Sequence, residues 1–173
     1  MKTILMFLYS IISYLIGFAS LLFWMLSVSN LIPGISIDRN PETSFSIALI
    51  KNISLVALFC IQHSIMARRP FKKWLSTILP QPVERSTYVL VSGLLLAFLV
   101  WQWEPMGGTI WNITQGSILF YAMYILFFTG WAILFISTFL INHFDMFVLR
   151  QTYFELIKKP YKPLQFRIPA FYK

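Results

Sequence analysis

Four stretches of the chain run almost unbroken in apolar residues, and most of the charge is gathered between and after them. Residues 4–28 hold 25 positions without a charged side chain. At about 1.5 Å per residue, such a helix crosses a hydrocarbon core of ~30 Å. The following segment, 30–44, contains Pro33-Gly34, Asp38-Arg39 and Pro41-Glu42, turn formers and charges that lipid does not accommodate. A second span is predicted over 45–66, with Lys51 close enough to the loop to extend its ammonium to the interface. A third is predicted over 86–103 and a fourth over 116–141, separated by Glu104-Pro105-Met106-Gly107-Gly108 and flanked by Trp101, Trp103 and Trp111 as an interfacial aromatic belt.

Between the second and third spans, residues 67–85 carry Arg68, Arg69, Lys72, Lys73 and Arg85 against Glu84, with Phe71, Trp74, Leu75 and Ile78 at helical spacing. This pattern predicts a basic amphipathic segment along the membrane surface, ended by Pro80 and Pro82. The expected architecture is all-α: a polytopic membrane helix bundle forming a single domain over 1–173. The apolar part of 4–28 is longer than a signal-peptide core, so the first span is expected to be retained.

Composition agrees with this pattern. The chain is 58% hydrophobic and 12% charged, with a mean hydropathy of +0.71, more apolar than soluble domains. Its formal charge of +8 is placed asymmetrically. If residues 67–85 are cytoplasmic, twelve of the fourteen Lys and Arg share that side, with Lys2, Arg150, Lys158, Lys159, Lys162, Arg167 and Lys173 among them. The positive-inside rule then places both termini in the cytoplasm, and a bacterial inner membrane is the expected location. Anionic lipid headgroups are the expected partner of this charge and nucleic acid is not, because no basic run is set in a soluble fold. Cys60, alone of its kind and inside an apolar run, excludes an intrachain disulfide and a Cys-based metal site, and is expected to be a small core residue.

The predicted orientation gathers unusual polar residues at the cytoplasmic face: Gln62 and His63 near the end of the second span, Glu84 and Arg85 before the third, and Asn142, His143 and Asp145 after the fourth. Both histidines are expected at the same depth. Asn142 and Asp145 would share one helix face, and His143 and Arg150 another. Anchoring at the headgroup boundary is the plain alternative for each of these residues. The triplets beginning at Asn52 and Asn112 match a glycosylation pattern, but both lie near the membrane and are given no role. No phosphate-cradling glycine loop, metal-protease motif or paired cysteine occurs, and no metal site is expected.

Several runs taken together are more specific. Gln62-His63-Ser64-Ile65-Met66-Ala67-Arg68, Val83-Glu84-Arg85-Ser86-Thr87-Tyr88-Val89-Leu90 and Trp101-Gln102-Trp103 occur in that order. They are followed by Ser137-Thr138-Phe139-Leu140-Ile141-Asn142-His143-Phe144-Asp145, Leu149-Arg150-Gln151 and Phe166-Arg167-Ile168-Pro169. This succession resembles the membrane-embedded methanethiol S-methyltransferases, within the broader NnrU and isoprenylcysteine carboxyl methyltransferase-like group. The resemblance implies S-adenosylmethionine-dependent methylation of a small thiol, methanethiol becoming dimethyl sulfide. In proteins of that kind, the stretch resembling Phe171-Tyr172-Lys173 leads into an Arg-His-Pro segment and further helices, where much of the cofactor site is expected. Residues 1–173 are thus expected to correspond to the N-terminal part of such an enzyme, with activity depending on the remainder. Within them, His63 and His143 are the candidate catalytic bases, and Arg85, Asn142, Asp145 and Arg150 the candidate cofactor-binding residues. The alternatives are a haem-binding or electron-transfer module using the two histidines as axial ligands, a small transporter, and a non-catalytic membrane protein.

Overall fold

The computed structural model describes residues 2–147 and 149–161. Lys162, Arg167, Lys173 and the run Phe166-Arg167-Ile168-Pro169 lie outside the described residues. The described chain is all-helical, with α1 (Lys2–Ser29), α2 (Phe45–Ala67), α3 (Arg69–Leu75), α4 (Gln81–Gln102), α5 (Ile118–Ile141), α6 (His143–Met146) and α7 (Leu149–Leu156). Four of these, α1, α2, α4 and α5, are long and apolar enough to cross a membrane, and the protein is an integral membrane protein.

The third span starts earlier than the 86–103 expected, because Pro82 lies in the first turn of α4 rather than ending the preceding segment. First-turn N–H groups have no partner within the helix, so a proline there sacrifices no hydrogen bond. Pro70 plays the same part in α3, while the extended Arg68, at ψ 146°, separates α3 from α2.

In lipid, packing is achieved by close approach of small residues rather than by burying apolar bulk. The buried positions of α1 are all small: Ser10, Ser13, Gly17, Ser20, Ser27 and Ser29. Most recur at intervals of three, four or seven, which places them on one helix face. The Ser10, Ser13 and Ser20 hydroxyls donate to the carbonyls of Met6, Tyr9 and Ile16 at 3.0, 2.8 and 2.6 Å, so none is left unpaired in the interface. Opposite them on α4, Ser86 Oγ lies 2.6 Å from Ser10 Oγ, and Thr87 Oγ1 lies 3.0 Å from the Tyr9 hydroxyl. The helices are closest at Gly17 and Gly93, where a Cβ built on Gly93 would come within 2.8 Å of the Gly17 Cα.

Helix α2 also meets the chain at the far end of α4. Asn52 donates to the Glu104 carbonyl at 2.7 Å and accepts from the Glu104 N–H at 2.9 Å. Lys51 pairs with the Glu104 carboxylate at 2.9 Å, and the Arg39 guanidinium donates to the Trp103 carbonyl at 3.3 Å. Lys51, expected to extend its ammonium to the interface, has a partner in the fold, and its hydrogen bond keeps the Glu104 carboxyl below the usual carboxylate range against the opposing effect of burial. Asn52, given no role from its triplet, clamps the end of α4. Cys60 lies exposed on α2 rather than in a core.

Helix α5 has no buried residue and meets α1 along aromatic rings, Trp24 with Trp131 at 5.5 Å and Phe18 with Phe135 at 5.7 Å. The Tyr124 hydroxyl donates to the Ser29 carbonyl at 2.8 Å.

Candidate functional site

The helix of α5 does not continue through the polar residues that follow it. Asn142, with φ at 137° and ψ at 90°, ends α5 through an N–H bond to the Thr138 carbonyl and caps α6 by accepting from the Asp145 N–H at 3.1 Å. Such a backbone costs on the order of 1–3 kcal/mol away from glycine and persists only where its surroundings hold it. Asn142 and Asp145 are consequently cap and helix residue rather than neighbours on one continuous face. The break turns His143 inward.

His143 is buried at 3% exposure. Its Nδ1 lies 2.8 Å from the Thr138 hydroxyl and its Nε2 lies 2.9 Å from the Tyr14 hydroxyl of α1. Thr138 donates its single proton to the Phe135 carbonyl at 2.7 Å, so toward His143 it accepts, which puts the imidazole proton on Nδ1. Nε2 then accepts from Tyr14. Phe139 stacks on the ring at 4.2 Å and Phe147 lies 4.7 Å away. Burial holds this imidazole below its ordinary pKa, in the neutral form. Both nitrogens are engaged, and the ring locks α1 to the α5–α6 junction.

His63 differs in each respect. It lies on the outer surface of α2 rather than inside the bundle. The Tyr88 hydroxyl of α4 lies 2.9 Å from Nε2 and 3.1 Å from Nδ1, distances so nearly equal that it is aligned with neither lone pair. Ser92 Oγ is 3.4 Å from Nδ1, a long contact. His63 therefore keeps a nitrogen able to take a proton. The two histidines share no hydrogen-bond partner among the described residues, and the haem alternative, which needs a free nitrogen on each, is not favoured.

Three of the four candidate cofactor residues come together. The Arg150 guanidinium lies 3.6 Å from Asp145, whose other oxygen accepts from the Tyr161 hydroxyl at 2.8 Å, and Asn142 caps the same short helix. Arg150 also lies near the Phe154 and Tyr161 rings, at 5.5 and 5.9 Å, and its buried Nη1, the atom that faces Asp145, makes no hydrogen bond among the described residues. A guanidinium this loosely paired has donors left for a second carboxylate.

Arg85 stands apart from this group. With Lys72, Glu84 and Tyr88 it forms the polar wall of a cavity of about 150 Å³. Met66, Leu75, Val89 and Met146 form the apolar wall, so α2, α3, α4 and α6 all contribute. Sequence reasoning missed Tyr14, Thr138 and Tyr88. Tyr88 had a signal, since it follows Glu84 by four and Arg85 by three on one helix. Tyr14 had none, because its partner is 129 positions away.

Among curated proteins the chain is 49% identical over 140 residues to a methanethiol S-methyltransferase of Crocosphaera subtropica, covering 80% of this chain and 54% of that protein. It is 41% identical over 167 residues to methanethiol S-methyltransferase 1 of Bradyrhizobium diazoefficiens, covering 96% and 58% respectively. With the methanethiol S-methyltransferase of Mycobacterium tuberculosis it is 36% identical over 175 residues, covering 100% of this chain and 70% of that protein. The chain thus spans little more than half the length of the first two relatives. No family model matches it, and no solved structure does.

Proposed function

We propose, from the premise that this chain belongs to the methanethiol S-methyltransferase family, that it carries out methylation of a small thiol at the cytoplasmic end of its helix bundle, with S-adenosylmethionine as donor. What supports this reading above all is the likeness to that family along the entire chain, joined to an unlocked imidazole at one end of the bundle. The donor, when bound, supplies a sulfonium methyl group whose bond to the donor sulfur breaks, the electron pair leaving with that sulfur, as the bond to the thiol sulfur forms. The chain's own residues prepare the nucleophile. A thiolate attacks far better than a thiol, and a free thiol is mostly protonated at neutral pH, so a base near the sulfur raises the rate. His63 is that base, because its nitrogens are only loosely held. His143 serves as a positioning residue through Tyr14 and Thr138. Arg150, whose Nη1 faces Asp145 at 3.6 Å beside the Asn142 cap without a hydrogen bond, is the residue to receive the donor's carboxylate.

Membranes carrying the protein and supplied with methanethiol and methyl-labelled S-adenosylmethionine should release labelled dimethyl sulfide. The assay is run on the chain by itself and on a fusion with the C-terminal portion of the Mycobacterium tuberculosis relative, since the chain aligns with 70% of that protein. Release is expected from the fusion; absence of label from both forms would overturn the reading.

The same proposal sets the orientation, in a bacterial inner membrane with both termini inside and the cations of α3 against anionic headgroups. The structure supports it by keeping two ends apart. Lys72, Arg85 and Met146 line one cavity, while Arg39 bonds Trp103 and Pro41 lies beside Gly107. Cysteines placed at Ser76, Asn40 and Gly108 in a Cys60→Ala background are expected to label from outside intact cells at positions 40 and 108 and not at 76. Labelling at 76 would reverse the orientation.

A further inference from the structure

We infer that the cavity walled by Arg85, Lys72, Tyr88 and the methionines Met66 and Met146 is the binding pocket of the small thiol, holding it as a one- or two-carbon thiolate. The inference rests on the methyl-transfer reading above and adds where the acceptor sits and what selects it.

Size comes first. At about 150 Å³ the cavity matches one that takes a benzene ring, and falls below the roughly 300 Å³ at which pockets for drug-sized ligands begin. A thiol of two or three heavy atoms fits within it, whereas a nucleoside-bearing donor would extend beyond its open side. The lining comes next. Met66, Met146, Leu75 and Val89 offer an apolar, polarisable surface for an alkyl group and a sulfur. Charge is the third point. Lys72 and Arg85 are opposed by Glu84, a single positive excess that suits a monoanion and disfavours a doubly charged phosphate. None of these three charged groups is ion-paired among the described residues, where the pairs are Lys51 with Glu104 and Arg150 with Asp145.

The proton has a route as well. Tyr88 lines the cavity and its hydroxyl lies 2.9 Å from His63 Nε2, so a small rotation of the unlocked imidazole brings that lone pair onto the hydroxyl. The thiol S–H bond breaks toward the Tyr88 oxygen as the Tyr88 proton passes to His63, leaving thiolate, neutral tyrosine and imidazolium. Lys72 and Arg85 hold the resulting charge. Met66 stands three residues after His63 on α2, so base and pocket wall share a helix face.

The test reads binding apart from turnover. The full chain in nanodiscs is melted with and without ethanethiol, and separately with inorganic phosphate, in three forms: unaltered, Leu75→Trp to fill the cavity, and Met146→Ala to enlarge it. Ethanethiol should raise the melting temperature of the unaltered chain and leave Leu75→Trp unmoved. Met146→Ala should bind propanethiol about tenfold better relative to ethanethiol, the order expected for one methylene in an apolar pocket. If Leu75→Trp does not fold, the chain-length preference of Met146→Ala decides the matter. An equal thiol shift in the filled variant, an unchanged preference in the enlarged one, or no thiol shift at all would overturn the assignment. Stabilisation by phosphate alone would overturn it in favour of a lipid headgroup site. A thiol shift that behaves as expected in a protein that transfers no methyl group would leave the pocket standing and sink the transfer reading.

Discussion

Replacing His63 with alanine is expected to slow thiol methylation by about 10² to 10⁴ at neutral pH, the usual cost of losing a general base. The effect should shrink as the pH rises toward the thiol pKa, because hydroxide then generates the thiolate unaided. His143→Ala should behave differently. His143 is buried and neutral, with Nδ1 and Nε2 both bonded, so its loss opens a cavity at the junction of α1, α5 and α6 and leaves the Tyr14 and Thr138 hydroxyls short of a partner. That lowers stability without the same pH signature, because no proton acceptor has been removed from the reaction. The two variants are compared from pH 6 to 10 in nanodiscs, at saturating donor, in whichever form of the protein transfers methyl. Near-normal rates in His63→Ala together with a pH-dependent loss in His143→Ala would move the base to α6. Near-normal rates in both would mean that no histidine base operates.

The second large effect concerns the bundle itself. Gly93→Ala should destabilise the protein by about 1–3 kcal/mol, and more than Gly17→Ala, although both replace glycine in a helix and each would gain up to ~1 kcal/mol from propensity alone. The difference lies in what the new methyl meets. On Gly93 it would lie 2.8 Å from the Gly17 Cα and 3.1 Å from its nitrogen, backbone atoms that move only if α1 moves. On Gly17 it meets Val89 Cγ1, also at 2.8 Å, but a side-chain atom that a rotamer change or a small tilt can withdraw. Thermal melting in detergent at matched lipid content measures both. If Gly93→Ala is as stable as the unaltered chain, or more stable than Gly17→Ala, the close approach of α1 and α4 is not what holds the bundle.

The sequence by itself determined the all-helical membrane class, the four spans and their charge asymmetry. A bilayer imposes these locally: each crossing needs about twenty apolar residues, and every loop must hold what lipid rejects. The family was legible for a related reason, since runs such as Gln62-His63-Ser64 and Asn142-His143-Phe144-Asp145 keep their order along the chain whatever the helices do in space. Only the tertiary structure decided which faces meet. In a soluble helix an apolar stripe announces the inward side, but in lipid every side is apolar, and the serines and the one glycine of α1 that form the contact show only a weak contrast with their surroundings. The histidines illustrate the same limit. Position along the spans put both histidines at one depth, and the structure buries His143 within the bundle while His63 stays on the outer surface of α2. The reason is that burial at a helix end depends on whether the chain turns there and on what it turns toward. Asn142 supplies the turn within a few residues, but Tyr14, which receives the imidazole, comes from the other end of the chain.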